Sequence, residues 1–184
     1  MTVFQNELDD ATINALPKLK QSIALLLKKT NLTLGVVEAS TYLSVTELLT
    51  TVPGNETFLI GTIYCNHPLS YIQLLGVSPA TLKNRYKEPK KVVSELLLGI
   101  KKRLKAAIYL VVYSSLCSPL LKENHSGQIV LGFQFLEHSI IKSVPIMGPT
   151  ETIKSKISFA ALTYLKNYLL HYQDEAPAMA SHYA

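Results

Sequence analysis

The chain has 184 residues, 48% of them apolar and 17% charged, with a mean hydropathy of +0.20. That is the profile of one domain with a buried core and excludes a disordered chain. Its longest apolar runs, such as Ala106–Val112, fall far short of the roughly 18 residues that a membrane-spanning helix needs. The net charge is +5, and nine of the 18 lysines and arginines fall between Lys83 and Lys105.

Helical and strand patterns alternate along the chain. Residues 18–29 read as a helix, with Ile23, Leu26 and Leu27 on one face and Pro17 near its start. Thr33–Ala39 is a short β-rich run, and Thr41–Thr50 returns to helical spacing before Val52-Pro53-Gly54 ends it. Phe58–Cys65 is rich in β-branched and aromatic residues and reads as a second strand. Ser70–Leu75 is a short helix stopped by Gly76. Ser78-Pro79 supplies the cap and first-turn proline of the next helix.

Pro89–Leu104 is amphipathic, with Val93, Leu96, Leu97, Ile100 and Leu104 inward. Ala106–Ser114, apolar on both faces, suits a central strand covered by helices. Gln128–Phe135 and Ile140–Ile146 read as a hairpin turning at residues 136–139. A last helix covers about 150–170, and residues 171–184 read as a flexible tail after a single domain spanning 1–170. Strands separated by helices predict an α/β fold: a three-layer α/β/α sandwich with a mostly parallel sheet and one antiparallel hairpin. Sites in such sheets gather at the carboxyl ends of the strands, here Glu38–Thr41, Cys65–Pro68 and Ser114–Pro119.

Those three segments carry a resemblance. Val37-Glu38-Ala39-Ser40-Thr41-Tyr42-Leu43, followed in step by Val52-Pro53-Gly54, resembles an A-E-S-C-T-G-G loop with its trailing V-P-G. The stretch Gly61-Thr62-Ile63-Tyr64-Cys65-Asn66-His67-Pro68-Leu69-Ser70-Tyr71-Ile72-Gln73-Leu74-Leu75-Gly76-Val77 resembles G-G-V-V-x-Y-S-N-x-x-K-x-x-L-L-G-V. Pro79 and Gly99 also fall in place, and no gap is needed from about 30 to 112. Tyr113–Pro119 is loosely similar to a glycine-rich third loop, while Gly127 and Met147-Gly148-Pro149 complete the frame. Both motifs are those of the C-terminal domain of CinA, the nicotinamide-nucleotide amidase family, and the resemblance covers roughly 18–170.

What the resemblance implies is a scaffold whose chemistry has changed. The family deamidates nicotinamide mononucleotide with a serine nucleophile served by a tyrosine and a lysine. At the matching positions this chain has Ala39, Asn66 and Tyr71. The expectation is a non-catalytic binding or scaffold protein, with a nucleotide-like small molecule as ligand and the family's self-associated form as a homo-oligomer. Tyr42, Leu43 and Ser114–Ser118 place side chains where family glycines admit phosphate, so the pocket is expected to be filled.

The residues also allow other readings. Ser40 is read first as the N-cap of the helix from Thr41. A second reading makes Ser40 a nucleophile with His67 as base and Glu38 orienting it, an amide hydrolase with a rearranged site. Tyr64 and Tyr71 are poor bases unless a cation lies beside them, and no lysine or arginine stands between Lys29 and Lys83. Glu38, Ser40, Thr41, Asn66, Ser114 and Ser115 either line a smaller hydrogen-bonding cleft or satisfy the loop backbone.

A third reading takes the basic 83–105 run as a nucleic-acid contact, ranked below a solvated helix surface with cations against the dipole. His67, His125, His138, His171 and His182 show no metal spacing, so no metal or cofactor is expected. Cys65 and Cys117 read as buried thiols, and the acidic N-terminal sequence lacks a secretory layout; the expected setting is cytoplasmic, with no membrane partner.

Overall fold

In a computed structural model, residues 10–117 and 124–172 are described. The elements, in chain order, are α1 (Asp10–Thr30), β1 (Leu34–Ala39), α2 (Ser44–Thr50), a 3-10 turn (Asn55–Thr57), β2 (Leu59–Cys65), α3 (Pro68–Leu75), α4 (Pro79–Lys83), α5 (Pro89–Arg103), β3 (Ile108–Cys117), β4 (Asn124–Phe135), β5 (His138–Pro149) and α6 (Thr150–Tyr172). α1 begins well before the expected start, so Pro17 lies inside it. Burial of Leu16 in the core holds the upstream turn although the proline removes one helical hydrogen bond. α6 likewise runs to Tyr172, into the stretch read as tail.

The strands form one sheet in the order β2-β1-β3-β4-β5. β1 pairs in parallel with β2 and β3, whereas β3–β4 and β4–β5 are antiparallel. The mostly parallel expectation holds for strand direction, since β4 alone runs against the others, but only half of the pairings are parallel. The connection from β3 to β4 accounts for this. Residues 118–123 are too few for a parallel crossover, which needs a dozen or more. The hairpin turn is also tighter than expected, with Phe135 opposite His138 and only Leu136 and Glu137 between them.

Alternation along the strands divides the core into two. Leu34 and Val36 of β1, Ile108, Leu110 and Val112 of β3, and Ile129, Leu131 and Phe133 of β4 pack under α1, α2 and α6. Val37 and Ala39, Tyr109, Val111 and Tyr113, and Val130 face α3, α4 and α5. This is the expected three-layer α/β/α arrangement.

Local rules explain the α3–α4–α5 layer, which carries Pro68, Tyr71 and Leu82 of the site. Gly76 ends α3 with φ 68°, and its N–H donates back to Ile72. The Ser78 hydroxyl accepts from the Thr81 N–H and Pro79 opens α4. α5 then lies very close to its neighbours. A Cβ on Gly99 would stand 2.2 Å from the Leu75 carbonyl oxygen, and one on Gly132 would stand 2.5 Å from a Val93 methyl.

Candidate functional site

Register brings the three motif segments together. Ala39 pairs with Cys65 on one side and Tyr113 on the other. The next residue of each chain segment, Ser40, Asn66 and Ser114, therefore meets at one edge of the sheet. These three line a cleft of about 260 Å³ together with Tyr42, Tyr64, Pro68, Tyr71, Leu82, Arg85, Tyr86 and Tyr113. The pocket expected to be filled is open, because Tyr42 is half exposed and stands at its rim.

The first loop is shaped by Glu38 rather than by Ser40. The Glu38 side chain is wholly buried. Its carboxylate accepts from the Thr46 N–H at 2.6 Å, the Val45 N–H at 3.3 Å and the Thr41 hydroxyl at 2.7 Å. It thus occupies the N-terminus of α2, where free amides and the helix dipole favour a negative group. The expected N-cap role of Ser40 is therefore corrected, and the helix starts at Ser44 rather than Thr41. Ser40, Tyr42 and Leu43 all adopt left-handed backbone, with φ of 58°, 61° and 56°. Tyr42 and Leu43, the positions matched to family glycines, thus hold a conformation that glycine adopts more readily.

That left-handed turn also redirects Ser40. Its hydroxyl lies 2.9 Å from the Tyr71 hydroxyl, and Ser40 lines the cleft instead of capping a helix. The Ser40–His67 pair does not form: His67 Nδ1 accepts from the Leu69 N–H at 3.2 Å and caps α3. Ala39 is fully buried below the cleft floor, and Thr41 and Ser115 are buried as well. Among the expected site residues, then, Ser40, Asn66, Tyr71 and Ser114 line the cleft; Glu38, Ala39, Thr41 and Ser115 support it, and His67 is outside it. β3 also continues past Ser114 to Cys117, with Ser114 opposite Ile129 and Ser115 opposite Gln128. The third segment is thus a strand where a loop was expected. The Cys117 side chain and residues 118–119 lie outside the described structure.

Sequence reasoning did not place Tyr42, Tyr64, Pro68, Leu82, Arg85, Tyr86 or Tyr113 among the site residues, and of these Arg85 brings the charge. Arg85 and Tyr86 follow α4, and the Arg85 guanidinium sits 4.4 Å from the Tyr86 ring centroid. It donates to the Leu82 carbonyl at 3.1 Å and to the Tyr86 hydroxyl at 3.2 Å. The available signal was an aromatic residue standing between Arg85 and Lys87 in the basic run. Other cations of that run are engaged elsewhere: Lys91 with Glu88, Lys101 with Glu137, and Arg103 with the Gln73 and Leu74 carbonyls at the end of α3.

Three tyrosines of the cleft, Tyr71, Tyr113 and Tyr64, are held neutral. Burial pushes the Tyr71 phenol far above its ordinary value, outweighing the bond to Ser40 and the pull of Arg85. Burial raises Tyr113 to about 12, again against Arg85. Tyr64 is raised by burial, then by the Glu38 charge and Tyr42. At neutral pH these groups are hydrogen-bonding hydroxyls and not bases. Burial also raises the Cys65 thiol, with a Ser70 hydrogen bond opposing. Among the described residues no group of three histidines, cysteines or carboxylates could hold a metal ion, and no helix is long and apolar enough to cross a membrane.

The polar, tyrosine-walled cleft lies at the strand ends of a three-layer α/β sheet, the place where such sheets commonly hold ligands. The chain belongs to the CinA family: the profile of the CinA C-terminal domain matches residues 16–169. Solved structures share its fold. The competence damage-inducible protein A from Klebsiella pneumoniae superposes with a TM-score of 0.76 at 21% identity, covering 85% of this chain and 98% of that one. A competence or damage-inducible protein from Enterobacter asburiae gives 0.73 at 17% identity, covering 84% and 98%. A CinA superfamily protein from Escherichia coli gives 0.72 at 17%, covering 90% and 94%. No curated protein matches the chain in sequence.

Proposed function

We propose that this CinA-family protein binds a small nucleotide-like molecule and does not hydrolyse it. The observation that carries this reading is the pairing at the position of the lost nucleophile. Ala39 offers only a buried methyl there, and the adjacent Ser40 hydroxyl is bonded to Tyr71, whose burial keeps it protonated. A serine hydroxyl attacks an amide only when a base takes its proton. Neither Tyr71 nor the helix-capping His67 supplies one. Self-association is part of the proposal, supported by the family resemblance; a monomer mass by light scattering would remove it.

The test incubates the purified protein with nicotinamide mononucleotide and follows ammonia, with an intact family enzyme run alongside. No release from this chain is expected. Release that disappears in Ser40→Ala would overturn the reading and favour an amide hydrolase with its nucleophile moved by one residue.

A further inference from the structure

We propose that the cleft is an anion receptor organised by Arg85, taking a small ring-bearing molecule through its phosphate or carboxylate group. The inference rests on the binding reading above and adds the chemistry that the ligand must carry. Among the described residues that line the cleft, Arg85 is the only cationic one, and none is an aspartate or glutamate. None of the ion pairs among the described residues involves Arg85. Its two bonds to the Leu82 carbonyl and the Tyr86 hydroxyl fix the plane of the guanidinium and leave further N–H groups for a ligand. Ser40, Asn66, Tyr71, Tyr113 and Ser114 add neutral donors around the same space.

Two other places for an anion are closed among the described residues. Glu38, carrying the nearby negative charge, already occupies the amides at the start of α2, so a ligand anion is excluded there by both space and charge. β3 continues as a paired strand through Ser114–Cys117, so the described third segment offers ladder-bonded amides in place of an open nest. A fork of N–H groups on a side chain is what remains, and an arginine matches carboxylate and phosphate oxygens two at a time. The volume of about 260 Å³ lies near the lower end of small-molecule sites, roughly 300–1,000 Å³. That suits a small molecule with its anionic group, and Tyr42, Tyr64 and Tyr86 are among the walls.

The experiment is isothermal titration calorimetry at low salt with two matched pairs. One pair is nicotinamide mononucleotide and the same compound without its phosphate; the other is benzoate and benzamide. The phosphate and carboxylate arms separate the two sources of the anion. In at least one pair the member that carries the anion is expected to bind about tenfold or more tightly than its counterpart without it, the size of a charge-assisted hydrogen bond. Arg85→Gln should bring the pair within about twofold, and Arg85→Lys, which keeps charge but loses the fork, should fall between. Circular dichroism melts of each variant check that it is folded. Equal binding within both pairs, no binding by any probe, or a preference that survives in folded Arg85→Gln would overturn the proposal. Ammonia release would instead overturn the non-catalytic reading and leave this preference intact.

Discussion

Replacing Gly99 by alanine tests how tightly the α3–α5 layer is packed and whether that packing sets the cleft. In an open helix the change would stabilise by about 1 kcal/mol, because glycine is the poorer helix former. Here the new methyl would stand 2.2 Å from the Leu75 carbonyl oxygen and 2.9 Å from both its carbonyl carbon and its Cβ. Two of these three atoms are backbone, so no rotamer change relieves the contact. To reach ordinary van der Waals distance, α3 must retreat by about 1 Å. Overpacking of this kind costs about 1–3 kcal/mol, and the Arg103 bonds to Gln73 and Leu74 at the same end of α3 are loosened with it. Set against the gain in helix propensity, the expected net loss is about 1 kcal/mol, or about 2–4 °C in melting temperature for a domain of this size.

Tyr71 lies on α3 and meets Ser40 across the cleft, so ligand affinity should fall with stability. Urea denaturation followed by far-ultraviolet circular dichroism measures the first effect, and calorimetry the second. A Gly99→Ala protein that melts at or above the wild-type temperature would refute the reasoning, since propensity alone would then decide the outcome.

Two further outcomes follow from the site. Glu38→Gln places an amide NH2 where the Thr46, Val45 and Thr41 donors converge; the protein should lose about 1–3 kcal/mol, and an unchanged denaturation midpoint would refute the capping role. Tyr113 holds its proton more tightly in the folded chain, with its value raised to about 12 from 10.0. The unfolded chain therefore loses that proton first, and this contribution to stability falls as pH rises from about 10 to 12. The fall should be smaller in Tyr113→Phe, as melts across that range would show.

The parts of the fold legible in the sequence were those set by neighbours in the chain. Gly76, the Ser78-Pro79 pair and the apolar face of α5 each obey a local rule, and all three were placed correctly. The three strand-end segments also pointed to one edge of the sheet, where Ser40, Asn66, Tyr71 and Ser114 do meet. What escaped was long-range. The start of α2 is set by a carboxylate whose acceptor bond reaches Thr46 from Glu38, so a search for an adjacent cap chose Ser40. The third strand was read as ending at Ser114, yet pairing with β4 carries it on through Ser115 to Cys117. Arg85 enters from a turn after α4, far in sequence from the other walls, and was counted with the surface charge.

The continuous β3 ladder gives the cleft two walls of different tempo. Ser114 is carried on a strand hydrogen-bonded to β4 at the same positions that build the core, and its backbone opens only with that larger unit. Ser40 stands on a short left-handed turn tied to the sheet through its own N–H and the Cys65 carbonyl, at 2.9 Å. Such turns open far more often than core strands do, and amide exchange separates the two. A ligand would therefore enter past residues 40–43 and come to rest against a side that does not move with it. Its residence time would then depend on the opening of the turn as well as on its contacts with Arg85, so substitutions at Tyr42 and Leu43 should alter how fast it leaves.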